Sequence, residues 1–393
     1  MVINAVFSLM YSDLASYYHR WYHSRPVLIT PERRDELRKL AAVLLKCARH
    51  FPDVWQDFLP LGERERDILA EQSRWPLRLG TWRPDYIITP EGSLLLCEIT
   101  SRFFAHGIFM SWFSHDWAGR FMERFPGAQW DDRFGDSMRK MLEITGGRPR
   151  MYVLKSADRT GEIRLYKRFY EAHGMSVTVL EYPEVEARRD EWAQPDCFLV
   201  SGLNQKDIMS LDDKTLRAMM ELGMYSDFRN VFLLHDKRFM GLWFDDSFTS
   251  GCLSAEETAF LRSHAIPTCN AADMLPLAIR NREQFIIKPC RLGKSEGVLA
   301  GPLCSARSWK QALEHPEGYV IQPFMRQKTF RTRWEGRTFD DYMCGMMLCV
   351  DDEYFDSGYF RCSSLPVTNV GDDRKAAVIH SGSQELVPYC DVL

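Results

Sequence analysis

The spacing of apolar residues changes character several times along the chain, and the order of these changes limits the folds open to it. Residues 10–75 repeat apolar side chains at helical intervals, as in "DELRKLAAVLLKCARHF", which predicts a helical region. The stretch "RPDYIITPEGSLLLCEIT" instead indicates two strands, Tyr86–Thr89 and Ser93–Ile99, because "TPEG" supplies the proline and glycine of a hairpin turn. A helical region and a hairpin therefore precede the rest of the fold.

The middle of the chain alternates strand-like and helical segments. Strand-like "RMYVLK", "MSVTVLEY" and "PDCFLVSG" alternate with helical "GEIRLYKRFYEAHG" and "DKTLRAMMELG", a βαβ order that predicts a small parallel sheet. We expect "NVFLLH" to be a further strand and "SAEETAFLRSHA" to be a helix, which Ser254 caps with Glu257 three residues later.

The last third is mostly strand-like, in "QFIIKP", "GVLAGP", "GYVIQPF", "DDYMCGMMLCVDD" and "YFDSGYFRCSSL", with one helix, "SARSWKQALEH". The predicted fold class is therefore α/β and α+β. The changes of character divide the chain into four segments: 1–79, 80–147, 148–235 and 236–393.

Length and charge narrow the class of protein. With 393 residues, the chain exceeds the ~100–200 residues usual for one domain, so we expect two or three packed subdomains. A net charge of -4 gives no general attraction to nucleic acid or to an anionic membrane. No apolar run approaches the ~18 residues that span a bilayer, and the first residues lack the features of a signal peptide. The 11 cysteines have no CxxC spacing, so we expect reduced thiols in a cytoplasmic protein.

One stretch, "FIIKPCRLGKSEGV", has the residue types of a phosphate site. Lys288 ends a strand-like run, and glycines in the following loop, which also holds Lys294, let backbone N–H groups approach an anion. The loop is not a Walker P-loop, because Gly293-Lys294-Ser295 lacks the first glycine at the required spacing. A lysine and proline at a strand end, followed by an ordinary hairpin loop, explain the same residues equally well. This stretch alone leaves both interpretations open.

A second stretch, "EGYVIQPF", follows with one helix between. An adenine needs a flat apolar slot with backbone donors and acceptors along its edge. An apolar strand that runs into a linker at Gln322, Pro323 and Phe324 can supply both. Buried strands are common, so the position of this stretch after Lys288 is what gives it weight.

In this order, "DKRFMGLW", "IPTC", "FIIKPCRLGKSEGV" and "YVIQPF" resemble the ATP-grasp superfamily. The acidic metal-binding pattern that follows the lid in most of these proteins stands here much earlier, as "RPDYIITPEGSLLLCEIT". That displacement resembles the circularly permuted branch, which includes glutathionylspermidine synthetase and the eukaryotic glutathione synthetases.

The resemblance implies an ATP-grasp fold with a role for three of the four segments. Segment 80–147 carries the metal-binding hairpin and the helices after it, as part of the core. Segment 148–235 is similar to the pre-ATP-grasp α/β domain, and segment 236–393 holds the lid and the C-terminal nucleotide-binding subdomain. The helical segment 1–79 has no counterpart.

The resemblance also implies ATP and Mg²⁺ as cofactors and assigns residues to them. Lys237 and Lys288 would bind the α and β phosphates, while the loop 291–297 closes on the γ phosphate. The implied nucleotide-binding residues are Lys237, Lys288, Lys294, Ser295, Gly297, Gln322, Pro323 and Phe324. The implied metal ligands are Asp85 and Glu98, with Thr100 where the family usually has asparagine. By residue type alone, Asp85 suits a turn after proline and Glu98 a charge at a strand edge.

A carboxylate substrate follows from the same resemblance. Arg361 in "YFRCSSLPVTN" corresponds to an arginine that steadies an acyl phosphate, and its planar guanidinium suits that target. The implied catalytic residues are Arg361, Lys288 and Lys294, and the implied substrate residues are Ser101, Arg102, Arg361 and Asn369. By residue type alone, Arg361 could face solvent, Asn369 could belong to a turn, and His106 is more often packed than catalytic.

These roles predict an ADP-forming carboxylate–amine ligase that acts through an acyl phosphate. Two alternatives stay open: a small-molecule kinase of the same fold, and an ATP-binding module without catalysis, for which Thr100 argues. The expected partners are a small-molecule carboxylate and an amine, with no nucleic acid and no membrane. The oligomeric state is unknown, with a homodimer as one option.

Overall fold

The computed structural model describes residues 11, 13–15, 17–157, 162–293, 295–368 and 374–393. In these ranges the strands are β1 (Val27–Ile29), β2 (Thr81–Ile88), β3 (Leu94–Thr100), β4 (Arg150–Lys155), β5 (Ser176–Glu181), β6 (Cys197–Gly202), β7 (Cys269–Asn270), β8 (Phe285–Pro289), β9 (Leu299–Ala300), β10 (Tyr319–Pro323), β11 (Thr329–Trp334), β12 (Arg337–Val350), β13 (Glu353–Ser357), β14 (Tyr359–Ser363), β15 (Arg374–His380) and β16 (Asp391–Val392). The α-helices are α1 (Pro31–Val54), α2 (Glu63–Gln72), α3 (Ser111–Met122), α4 (Phe134–Glu143), α5 (Ile163–Ala172), α6 (Arg189–Trp192), α7 (Gln205–Ser210), α8 (Asp213–Leu222), α9 (Phe239–Leu242), α10 (Asp246–Thr249), α11 (Ala255–Ser263), α12 (Leu275–Arg280) and α13 (Ala306–Ala312). Short 3₁₀ segments cover Trp55–Asp57, Tyr182–Glu184, Arg282–Gln284, Pro316–Gly318 and Gln384–Tyr389, and a π-helix covers Asn230–Leu234.

Nine of the described strands form one sheet around the long strand β12. Its main path runs β16-β1-β15-β14-β12-β2-β3, and β11 and β13 also pair with β12. The hairpin β2–β3 therefore lies in the same sheet as the strands of the last third of the chain. Where β12 passes β2, a Cβ on Gly345 would lie 2.2 Å from the ring of Tyr86, so only glycine fits at this contact.

A second sheet is small and parallel, with β4 between β5 and β6. Helix α5 connects β4 to β5, and its buried Tyr166 and Tyr170 belong to one core cluster with Val153 and Val200. This arrangement confirms the parallel sheet predicted for residues 148–235. Together with the antiparallel strands of the large sheet, it confirms the mixed α/β and α+β fold class.

Two local expectations are wrong. The segment "NVFLLH" was expected to be a strand, but Asn230–Leu234 is a π-helix with every side chain buried. A short, continuous apolar run suits a buried helix as well as a buried strand. The helical region 10–75 is also interrupted by the fully buried strand β1, which pairs in parallel with β15 and β16. Three residues are too few to show the period of a strand.

Two helices begin with the capping residues that their sequences contain. Thr30 caps α1 by accepting from the Arg33 N–H at 3.3 Å. Ser254 and Glu257 cap α11 reciprocally, at 3.2 and 3.0 Å, which confirms the predicted capping box. In the described part of the chain, no helix is both long and apolar enough to cross a membrane.

The third sheet has the order β7-β10-β8-β9. One of its faces carries an apolar cluster that includes Phe285, Ile287 and Ile321, together with Ala278 of α12 and Trp309 of α13. Because side chains alternate along a strand, neighbouring residues of β8 and β10 point to the opposite face. That face looks toward the large sheet and forms one wall of a cleft.

Candidate active site

A cleft of about 690 Å³, partly open to solvent, lies between the large sheet and the four-stranded sheet. The cleft brings together eight of the residues named from the sequence: Asp85, Glu98, Lys288, Ser295, Gln322, Pro323, Phe324 and Arg361. The predicted metal, phosphate and base positions therefore meet in one place.

A β-bulge orients the two carboxylates of the cleft. In the ladder between β2 and β3, Asp85 pairs with Glu98, but its neighbour Tyr86 pairs with Leu96. Cys97 is thus one extra residue on β3. Because residues that pair directly share a face of the sheet, the bulge brings Glu98 to the same side as Asp85.

Asp85 is almost completely buried and is held by two arginines. Arg83 donates from Nε and Nη2 to its two oxygens at 2.7 and 3.0 Å, and Arg361 donates from Nη2 to Oδ2 at 2.7 Å. Burial would lower the pKa of Arg361, but the neighbouring Asp85 raises it above the ordinary value. Both oxygens of Asp85 are therefore engaged by guanidinium groups that stay charged.

Glu98 is less engaged than Asp85. Among the described residues its hydrogen-bonded partner is Lys237, whose Nζ lies 3.1 Å from Oε1. Burial would raise the pKa of the Glu98 carboxyl, but Lys237 and Lys288 lower it to about 2. Glu98 is consequently ionised near neutral pH, and its second oxygen is available to a ligand.

This donor set fits a Mg²⁺ ion held mainly through Glu98. In nucleotide sites Mg²⁺ is bound by one or two carboxylates together with phosphate oxygens and water. Glu98 offers an oxygen, whereas Asp85 would first have to release an arginine, and Thr100 is buried two residues beyond Glu98. Across the described ranges no group of three or more His, Cys, Asp or Glu side chains could hold a metal. Phosphate and water oxygens would therefore complete the coordination.

Lys288 and the loop after it close the end of the cleft where the sequence predicts phosphates. Lys288 reaches from β8 across to the large sheet, where its Nζ donates to the Cys97 carbonyl at 2.8 Å. The loop then turns through two left-handed residues, Ser295 (φ 59°) and Gly297 (φ 69°). A Cβ on Gly297 would lie 2.8 Å from Pro289 Cγ, so glycine is needed where the loop folds back on the strand. Ser295 lines the cleft, and Gly297 shapes the loop behind it.

The other end of the cleft is largely apolar. Ile266, Ile286 and Phe324 line it together with Gln322. The Gln322 side chain donates from Nε2 to Thr268 Oγ1 at 2.8 Å, and its Oε1 is buried without a hydrogen-bond partner in the part of the chain that the structure describes. An apolar slot with one unused acceptor suits a base that carries an amino group.

The remaining predicted residues lie behind the cleft wall or outside the described residues. Ser101 and Arg102 are buried beyond Glu98: Ser101 Oγ donates to Asn230 Oδ1 at 3.1 Å, and the Arg102 guanidinium lies 4.2 Å from the centre of the Phe103 ring. Lys237 reaches the cleft through Glu98. Two predicted site residues, Lys294 and Asn369, fall outside the described ranges, so their roles stay predictions.

Sequence reasoning did not identify several residues of this site. Arg83 stands two residues before Asp85, on the same face of β2, and this spacing is a signal that could have indicated the pair. Cys344 lines the cleft with its Sγ 3.3 Å from Arg361 Nη2, but no motif distinguishes it. His235, which is fully buried beside Gly293 behind the cleft, is a single histidine in an apolar context and carries no local signature.

The chain resembles known proteins over most of its length. Residues 47–233 match the family model of the AnkG N-terminal domain, a stretch that includes the β2–β3 hairpin and the parallel sheet. Over 392 aligned positions the chain is 22% identical to the ATP-grasp enzyme ankG of Aspergillus thermomutatus, covering 82% of this chain and 80% of that protein.

A solved structure has a similar fold. It is a glutathione synthetase-like effector, GSS30, from Globodera pallida in its apo form, with a TM-score of 0.53 and 11% identity. The likeness covers 91% of this chain and 90% of the effector. It agrees with the ATP-grasp fold expected from the sequence, while the permuted order of segments stays a prediction.

Proposed function

We propose that the chain is an ATP-dependent ligase of the ATP-grasp superfamily that joins a small-molecule carboxylate to an amine. The main support is the convergence of Lys288, Arg361 and the ionised Glu98 on one cleft between two β-sheets. Two cations and one open carboxylate suit a polyphosphate with its metal ion.

The spacing of residues along β8 supports a nucleotide that spans the cleft from an apolar slot to a lysine. Gln322 at the apolar end pairs with Ile286, and Lys288 stands two residues further along β8. The two positions are therefore separated by about 7 Å along the strand. In the proposed complex the base lies beside Gln322 and the phosphates extend past Lys288 toward Glu98.

The proposed reaction has two steps. A carboxylate oxygen of the acid attacks the γ phosphorus, ADP leaves, and an acyl phosphate forms. The amine nitrogen then attacks the acyl carbon, phosphate leaves, and loss of a proton from nitrogen gives the amide. A carboxylate is a poor electrophile, so the phosphoryl group supplies the leaving group that direct condensation lacks.

The residues of the cleft act by charge and position. Lys288 and Arg361 stabilise negative charge as it moves among the phosphate oxygens. Mg²⁺ held by Glu98 would neutralise further phosphate charge. The cleft walls orient the two reactants, so that no strong acid or base is needed from the protein.

A screen of ADP release with paired carboxylates and amines, combined with mass detection of products, tests the proposal. We expect ADP only when both reactants are present, and a product mass equal to the two reactants less one water. ADP without dependence on an amine, together with a phosphorylated acceptor, would identify a kinase instead. Binding of MgATP without ADP from any pair would identify a binding module, and either outcome overturns the ligase.

A further inference from the structure

His235 is buried beside Gly293 of the loop after Lys288, near the charge of Glu98, which lines the cleft, and it has no role in the proposed reaction. It follows the π-helix, is fully buried, and its backbone N–H donates to the Asn230 carbonyl at 2.8 Å. The Ser101 N–H donates to ring atom Nδ1 at 3.4 Å. A ring nitrogen that accepts a hydrogen bond carries no proton, so the neutral imidazole holds its proton on Nε2.

The Nε2–H edge faces the beginning of the loop 291–297. A Cβ on Gly293 would lie 3.9 Å from both Nε2 and Cε1 of His235. Lys237 ties the same part of the loop by donating from Nζ to the Leu292 carbonyl. Among the residues that the structure describes, Nε2 is buried without a hydrogen-bond partner. An unsatisfied buried donor is destabilising, and a ligand that accepts from it would remove that cost.

The charges near His235 favour an anion and keep the ring neutral. Burial, followed by the nearby Lys237 and Arg102, lowers the pKa of His235 to about 3, against a smaller opposing effect of Glu98. The imidazole is therefore an uncharged N–H donor near neutral pH. Near the imidazole, the cations Lys237 and Arg102 outnumber the single carboxylate of Glu98, so the surroundings of the ring are positively charged.

We propose that His235 donates a hydrogen bond from Nε2 to the phosphoryl group that passes from ATP to the carboxylate substrate. This inference rests on the proposed ligase function and adds to it a directed donor that acts together with the charges of Lys288 and Arg361. Ser101 fixes the ring, so the donor is already oriented before the reaction. The same geometry excludes a role as general base, because Nε2 holds the proton and Nδ1 is occupied by Ser101.

Two substitutions test the Nε2 donor separately from the Nδ1 acceptor. In His235→Gln an amide nitrogen replaces Nε2 as donor, whereas in His235→Asn the amide can replace Nδ1 alone and still accept from Ser101. With the reactants found by the screen, we expect His235→Asn to lower kcat about 10²–10³-fold with little change in KM for ATP. His235→Gln is expected to retain most of the activity.

The matched control is His315→Asn, because the His315 side chain is 84% exposed and lies outside the cleft. It is expected to leave kcat unchanged. Thermal unfolding identifies the variants that are folded at the assay temperature, and only those are compared. Equal losses of kcat in His235→Asn and His235→Gln, or a loss confined to KM for ATP, overturn the inference.

A binding measurement tests the donor without turnover. MgADP with orthovanadate mimics the phosphoryl group in transfer. We expect His235→Asn to weaken the vanadate-dependent part of MgADP binding by about tenfold or more, measured by calorimetry, with the affinity for MgADP alone unchanged. Unchanged vanadate binding overturns the inference. Weakened vanadate binding in a protein that forms no amide supports the donor and rejects the ligase, so the two failures are distinguishable.

Nitrogen NMR of protein with ¹⁵N-labelled histidine gives a third result that does not depend on activity. From about pH 5 to about pH 8, we expect the ring of His235 to keep a protonated Nε2 and a bare Nδ1. A protonated Nδ1 in this range overturns the inference.

Discussion

Neighbouring strands of the large sheet carry two arginine–aspartate pairs that differ in their surroundings. On β14, Arg361 donates to Asp85 at the cleft. On β15, Arg374 donates from Nε and Nη2 to the two oxygens of Asp341 at 2.8 and 2.7 Å. His23 Nε2 also lies 3.0 Å from Asp341, which is fully buried. The Arg374–Asp341 pair is buried away from the cleft, and we call it the closed pair. The Arg361–Asp85 pair lines the cleft.

The contrast shows that a buried ion pair alone does not mark a functional site. Both pairs have short contacts and little exposure. What distinguishes the pair on β14 is its position on a cleft, beside polar atoms that still have hydrogen-bonding capacity. These atoms are the second oxygen of Glu98 and Nε2 of His235, which no described residue engages. The comparison predicts effects on stability for one pair and on chemistry for the other.

The largest effect is expected at the closed pair. Arg374→Met leaves Asp341 buried without its cation, so we expect the free energy of unfolding to fall by about 3–5 kcal/mol, measured by urea denaturation. In Arg361→Met the free energy of unfolding should fall by less, because Arg83 still donates to Asp85. This variant should, however, no longer form ADP. Equal losses of stability in the two variants would remove the distinction between the pairs.

At the cleft, Lys288→Met should act on chemistry and leave stability nearly unchanged. Removal of one cation from the phosphate site is expected to lower turnover about 10²–10³-fold, measured as ADP release with the reactants found by the screen. Lys310→Met on α13 is the matched control, because that lysine is exposed and lies on the other side of the same sheet. Similar turnover in both variants would exclude Lys288 from the site.

Glu98→Gln should weaken the binding of Mg²⁺. Loss of the open carboxylate oxygen is expected to lower ADP formation about 100-fold and to raise the Mg²⁺ concentration needed for half-maximal rate. Glu91→Gln, on the exposed turn of the same hairpin, is the control and should match the unaltered protein. An unchanged Mg²⁺ requirement in Glu98→Gln would place the metal elsewhere.

The closed pair should also contribute to stability in a pH-dependent way. Burial would raise the pKa of Asp341, but Arg374 and His23 lower it from 3.8 to about 2. Because the folded-state pKa is the lower one, the contribution is complete above about pH 4 and is lost as pH falls toward about 2. It amounts to about 2 kcal/mol. Acid unfolding of Asp341→Asn should lack this part of the pH dependence, and an unchanged acid slope would assign it to other carboxylates.

Much of the fold around the cleft could be predicted because its signals are local. "TPEG" indicates the hairpin, and the apolar runs that end in Lys288-Pro289 and Gln322-Pro323 indicate strands β8 and β10. The π-helix and β1 could not be predicted. The first has the apolar composition of a strand, and the second depends on pairing with β15 and β16, which no local pattern encodes.

The site was predictable in its main charges but not in their pairing. Residue type and order indicated Asp85, Glu98 and Lys288. Arg361 reaches Asp85 only because β14, β12 and β2 are adjacent in the sheet, and long-range strand pairing is not visible in a single sequence. A lone histidine such as His235 has no spacing to recognise.

The extra residue in β3, Cys97, changes whether even-numbered or odd-numbered residues of the strand face the apolar core. Before Cys97 the core receives even-numbered residues, Leu94 and Leu96; after it the core receives an odd-numbered one, Ile99. With every residue present and strict alternation, Glu98 would turn into the apolar core and Ile99 toward the cleft. The bulge at Cys97 is therefore what keeps a carboxylate, and not a hydrocarbon, in the cleft, and deletion of Cys97 would make the strand regular while leaving Glu98 paired with Asp85.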